Sequence, residues 1–217
     1  MLFEQPVIHR VIAMAAKQSF RPRQLIVRGT EARNVYLMLE GSAALIVEHE
    51  EGEQAILDLF HPGDFFGETT LCTPRLPSMT LVRARSSALV ASVNAEDFRR
   101  LVMQEPDLAL CLVGQLSTRI EGGYRRTADH FFLDVTARLL RTLRRLAGTP
   151  EAQRTSDGMA LRINRLELAA MLGCSREMIA RGLRTLENDG LVVIDGHDIV
   201  VRPDDTKATL KASRAAD

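Results

Sequence analysis

The spacing of apolar residues changes along this chain, and each change marks a different kind of element. Val7, Ile8, Val11 and Ile12 share one helical face and predict a short amphipathic helix within residues 1–18. Short aliphatic runs then follow at 24–28, 35–40, 43–48, 55–60, 80–84 and 87–93, with Gly29, Gly41, Gly52 and Gly63 between the early ones. Closely spaced strands with regular turns predict a sandwich, jelly roll or β-roll. Asn94 is positioned to cap a helix through Phe98, Leu101 and Val102, and Pro106 restarts one. Ala109, Val113, Leu116, Ile120, Gly123 and Thr127 then alternate spacings of 4 and 3, an a/d seam lasting about two and a half heptads. On spacing alone, that face fits a second copy of the chain or the helix's own domain. After 130–134, where Asp134 is a good cap, Leu139, Leu140, Leu143 and Leu146 form the stripe of another helix.

Residues 164–184 read as two short helices joined by a tight turn. Asn164 caps the first, and Glu167 can bond back to the cap. Leu168, Ala169 and Leu172 mark its buried side, and Gly173 supplies the left-handed residue that closes it. Ser175 caps the second, whose Ile179, Leu183 and Leu186 fall on one face and Arg176, Glu177, Ala180, Arg181 and Arg184 on the other. A small, arginine-rich outer face is what a DNA major groove admits, although a solvated helical hairpin shares the pattern. The apolar run 191–194, Asp195-Gly196 and the run 199–201 then signal a β-hairpin, which makes a winged reader of the pair. The stretch GCSREMIARGLRTLENDGLV resembles the DNA-binding helix of the cyclic-AMP receptor protein and fumarate-nitrate regulator (CRP/FNR) superfamily.

That resemblance covers nearly all of residues 19–202, because LEGSAAL, HPGDFFGE and LVRARSS resemble the superfamily's β-roll and FLDVTARLLRTL its first DNA-domain helix. It implies an α+β fold: a cyclic-nucleotide-binding-type β-roll over 1–104, a long central dimerisation helix and hinge over 105–133, and a winged helix-turn-helix domain over 134–217. It also implies a homodimer with Val113, Leu116 and Ile120 in the seam. Arg176, Glu177 and Arg181 take the family's base-reading places, on half-sites related to TGTGA in an inverted repeat, and Ser175, Arg165 and Arg184 are further DNA contacts. The surface loop 148–158 corresponds to one that touches RNA polymerase.

The implied effector pocket is altered. Gly67 and Glu68 occupy the places whose amides face a cyclic phosphate and whose carboxylate accepts from a ribose hydroxyl. The expected arginine and small polar residue fall at Ser78 and Met79, and the Thr-Ser pair for adenine falls at Gly123 and Tyr124. Arg75 and Arg119 are the cations left to meet an anion. The contacts for cyclic AMP are therefore largely missing. Three readings follow: no effector, a larger one such as cyclic di-GMP, or gating by cyclic AMP through an altered pocket.

Composition narrows the alternatives. The net charge is zero, 28 basic against 28 acidic residues, yet from Val135 onward basic residues lead 14 to 11. Cys72, Cys111 and Cys174 are odd in number and scattered, so they form no disulfide framework and point to a reducing cytoplasm, with a redox role for Cys72 or Cys111 left open. Three cysteines are too few for an iron–sulfur cluster, and His9, His49, His61, His130 and His197 lack metal-ligand spacing. A jelly-roll metal enzyme would need a clustered histidine set, so no enzyme and no metal are expected. No apolar run approaches the ~18 residues of a membrane helix, and the N-terminus does not read as a signal peptide.

Overall fold

The computed structural model describes residues 6–29, 33–49, 52–71, 80–196 and 198–203. The chain divides into two compact units, Met1–Asp129 and His130–Asp217. The first opens with α1 (Pro6–Met14) and then two four-stranded antiparallel sheets. One is ordered β1 (Ala16–Phe20), β8 (Ala88–Asn94), β3 (Asn34–Glu40), β6 (Phe65–Phe66); the other is β2 (Leu25–Arg28), β7 (Thr80–Ala84), β4 (Ala43–Glu48), β5 (Gln54–Phe60). The first helix thus stops earlier than its sequence suggests. Residues 16–20 extend instead, because their backbone pairs with β8 from Ala16↔Ser92 to Phe20↔Ala88.

Strand alternation gives the first sheet two buried faces. Leu37 and Phe65 point to one side, with Val7, Ile8, Val11, Phe98, Leu101, Leu108 and Leu112 of the helices. Met38 and Phe66 point to the other, where Phe60, Val82 and Val90 close the space between the sheets. Phe66 is stacked on both Tyr36 and Phe60, at ring separations of 5.0 and 4.9 Å. Asn94 caps α2 (Ala95–Gln104) by accepting from the Glu96 amide. The long helix α3 (Pro106–Phe132) follows. Its inner face carries Leu108 and Leu112 into the core. One turn further, the Gln115 amide accepts from Phe65 N–H at 2.9 Å and donates to the Gly63 carbonyl at 2.8 Å, which ties α3 to the β5–β6 turn.

The second unit begins with α4 (Val135–Ala147), capped by Asp134, whose carboxylate accepts from Ala137 N–H. α5 (Arg165–Leu172) and α6 (Arg176–Asn188) follow a sheet ordered β11 (Val192–Asp195), β12 (Asp198–Val201), β10 (Met159–Arg162), β9 (Gln153–Arg154). Two expectations change here. Residues 148–158 are not wholly loop, because Gln153 and Arg154 pair with Ala160 and Met159. The wing turn is one residue later than Asp-Gly, because Asp195 pairs with Asp198 and Gly196 takes the left-handed φ of 57°. Among the described residues, no helix is long and apolar enough to cross a membrane.

Candidate nucleic-acid interface and effector cavity

Local capping chemistry builds the α5–α6 pair. Asn164 accepts from Glu167 N–H at 2.9 Å, and Gly173 ends α5 in the left-handed region. Ser175 accepts from Met178 N–H at 3.2 Å and starts α6. Ile179, Gly182, Leu183 and Leu186 bury the inner face of α6, and α4 contributes Leu139, Leu143 and Leu146 to the interior of this unit. Arg176, Glu177, Arg181 and Arg184 are all exposed on the outer side, and Arg165 is exposed at the first position of α5. Backbone and Ser175 hydrogen bonds hold the Glu177 carboxyl below the ordinary glutamate range, with Arg176 and Arg181 adding to the effect. At neutral pH this side chain is therefore a pure acceptor between arginine donors. The wing is fixed to the reader where Glu187 accepts from Ile194 N–H and Arg202 donates to the Gly190 carbonyl.

Among the described residues of the first unit, a cavity of about 230 Å³, open to solvent, lies between the β4–β5 hairpin and α3. Leu45, Leu57, Asp58, Leu116, Arg119, Ile120 and Arg126 line it. Leu57 and Asp58 are sequence neighbours, which ordinarily face opposite ways in a strand. Both reach the cavity because the β4–β5 register slips: Leu45 pairs with Asp58 while Ile46 pairs with Ile56. Arg119 is held on all sides. Its Nε lies 3.5 Å from an Asp58 oxygen, its Nη1 3.4 Å from Glu68 Oε1, and it donates to the Phe65 carbonyl at 3.2 Å. Its guanidinium also sits 4.9 Å from the centre of the Phe60 ring. Glu68 Oε2 is buried and has no hydrogen-bond partner among the described residues.

Several sequence-derived positions are placed differently. Glu68 opens a single four-residue 3₁₀ turn, Glu68–Leu71, too short to carry a substantial helix dipole. Gly67 is required by geometry independent of any ligand: its φ is 79°, and a Cβ would lie 2.8 Å from the Asn34 carbonyl oxygen and from the Tyr36 ring. Gly123 and Tyr124 do not line the cavity, and Tyr124 is 68% exposed. At 100° per residue, Tyr124 lies about 140° around α3 from Arg119, whereas Arg126 lies only about 20° away. Asp58 and Arg126 are the polar wall residues that sequence reading missed. Arg75, Ser78 and Met79, with Cys72, lie outside the described residues. The seam residues Val113 and Ile120 are exposed, as is Leu110 beside them, while Leu116 is half-buried against the cavity. Among the described residues, no group of three or more His, Cys, Asp or Glu could hold a metal ion.

Comparison with known proteins agrees with both halves of this architecture. Residues 17–105 match the family model described as cyclic nucleotide-binding domain, and residues 137–204 match that described as Crp-like helix-turn-helix domain. The chain is 38% identical over 177 residues to the cAMP-activated global transcriptional regulator CRP of Pasteurella multocida, covering 82% of this chain and 85% of the relative. It is 32% identical to the cAMP-activated global transcriptional regulator Vfr of Pseudomonas aeruginosa, covering 89% and 92% of the two chains. Among solved structures, the c-di-GMP responsive global regulator CLP of Xanthomonas campestris superposes with a TM-score of 0.81 at 32% identity, covering 91% and 98%. A cyclic nucleotide-binding domain and a Crp-like helix-turn-helix domain thus occur together in this chain, and it belongs to the CRP/FNR family of transcription regulators, which are not enzymes.

Proposed function

We propose that this protein is a homodimeric, sequence-specific regulator that binds an inverted-repeat DNA site without requiring cyclic AMP. The outer face of α6 carries the reading: Arg176, Arg181 and Arg184 donate, Glu177 accepts, and none is needed to bury the helix. Arginine pairs with guanine O6 and N7, and a carboxylate accepts from cytosine N4. Ser175 and Arg165 stand at the adjacent helix starts, where they meet phosphates. The exposed Leu110, Val113, Ile120 and Tyr124 supply an apolar face for a second copy. By function, the chain divides into an effector domain over 1–104, a dimerisation helix and hinge over 105–133, and a DNA-binding domain over 134–217. It acts in the cytoplasm, and the 148–158 region meets RNA polymerase. The test is selection from randomised duplex DNA with no nucleotide present. A palindrome of TGTGA-related half-sites is expected; recovery of no symmetric site overturns the reading.

A second reading, gating by a cyclic nucleotide, is favoured by one observation. The orphaned Glu68 Oε2 suits a ribose hydroxyl donor. The phosphate side of the cavity fits poorly, because Arg119 and Arg126 both face Asp58. The resemblance to a c-di-GMP responsive relative makes cyclic di-GMP the nucleotide to set beside cyclic AMP and cyclic GMP. Calorimetric titration with each, paired with gel shifts, separates the readings. Micromolar cyclic-AMP binding that switches on DNA binding overturns the first.

A further inference from the structure

Four charged side chains meet at the α3 side of the cavity, with the Asp64 carboxyl close enough to feel both Arg119 and Asp58. Asp58 Oδ2 lies 3.5 Å from Arg119 Nε, and Asp58 Oδ1 lies 3.9 Å from Arg126 Nη1. Glu68 Oε1 takes the remaining side of Arg119 at 3.4 Å. Two carboxylates thus meet two guanidiniums, and the charges of these four side chains cancel. The side chains are 16% (Asp58), 18% (Glu68), 23% (Arg119) and 33% (Arg126) exposed, so solvent screens them only in part. Asp58 is the one member that meets both arginines.

An entering phosphate anion loses water and recovers that cost only against a cation it can pair with. Here both described cations already face a carboxylate that belongs to the chain. The position of that carboxylate is no accident of a flexible surface, since the β5 register slip at Leu57 turns Asp58 toward α3. We propose that Asp58 is a built-in counter-anion: it takes the place of an effector's phosphate against Arg119 and Arg126, bars anionic nucleotides from this cavity, and holds α3 on the β-roll without them. Asp58 is a positioning residue, acting through the two arginines. The inference deepens the effector-independent reading above and rests on it for the DNA arm of its test.

The test compares the full-length protein with Asp58→Asn and Asp58→Glu, using cyclic AMP and the uncharged nucleoside adenosine as probes. Asp58→Asn keeps the shape, takes the carboxylate away from Arg126 and leaves Arg119 with Glu68 alone, so the wall gains one net positive charge. The variant's affinity for cyclic AMP should rise by about tenfold or more, with no matching gain for adenosine. DNA binding without nucleotide should weaken in this variant and return when cyclic AMP is added, while Asp58→Glu keeps parental behaviour in every assay. Unchanged cyclic-AMP affinity in Asp58→Asn overturns the proposal, as does an equal gain for adenosine, which would report space instead of charge. Parental nucleotide-free DNA binding by Asp58→Asn overturns the holding role. If the parent itself needs a nucleotide to bind DNA, the effector-independent reading fails separately, and the cyclic AMP-against-adenosine comparison still decides the counter-anion.

Discussion

Gly182 sits where α6 crosses α4 too closely for an ordinary side chain. A Cβ there would lie 3.0 Å from Leu139 Cδ2 and 3.6 Å from Thr136 Oγ1. Helix propensity favours alanine over glycine by about 1 kcal/mol, and the first clash is with the end of a flexible side chain. Gly182→Ala should therefore change stability by less than about 1 kcal/mol, while Gly182→Val, with two further carbons, should overpack and cost ~1–3 kcal/mol by urea denaturation. Arg181 is the opposite case, exposed and without a role in packing. Arg181→Ala should leave the urea midpoint in place but cost ~1–3 kcal/mol per half-site in DNA binding, relaxing the preference at one guanine in a site selection. An unchanged preference would remove Arg181 from the readout. Single residues were unevenly legible. The caps Asn164 and Ser175 act within their own turn, so sequence shows them. Arg126 does not announce itself, because Leu108 and Leu112 on one side of α3 and Val113 and Ile120 on another are equally apolar. Sequence alone leaves open which side meets the β-roll.

The same division holds for elements. Helices with local start and stop signals, and strands dense in β-branched residues, could be read directly. β1, β6, β9 and β10 could not, because their extension comes from partners far along the chain or from very short pairings. The slip in β5 left no mark in the hydrophobic alternation, so Asp58 was invisible as a cavity residue. In α3 the expected seam divides by burial: Leu116 turns toward the cavity, Ile120 lies exposed at its rim, and Val113 remains outside with Leu110 and Tyr124. Val113 is 57% exposed, so a charge there costs the isolated protomer little. Placed against its own copy, the same charge would be buried without a partner. Val113→Glu should therefore run as a monomer in sedimentation at micromolar concentration while melting as a folded protein. A mutant that stays dimeric would move the interface off this face.

At the scale of the whole molecule, the 28 basic and 28 acidic residues cancel, so net charge gives no long-range pull toward DNA. Affinity must come from a small array of arginines on each reader, and from holding two readers together. Once one half-site is engaged, the second binding step is intramolecular, and avidity can exceed single-site affinity by ~10²–10⁴. Competition between duplexes carrying two half-sites and one should show a difference of that order for the parent protein. Raising the salt should weaken both, and the two-site duplex more steeply, because more phosphates are neutralised and more counterions released. Val113→Glu should bring the two duplexes to nearly equal affinity with the shallower slope, since each reader then acts alone. Asp58→Asn should keep the two-site advantage whenever cyclic AMP is present, because that change leaves the exposed face of α3 untouched. Equal binding of the two duplexes by the parent would mean that its readers are not coupled, and would sink the dimeric reading however well each half-site is recognised.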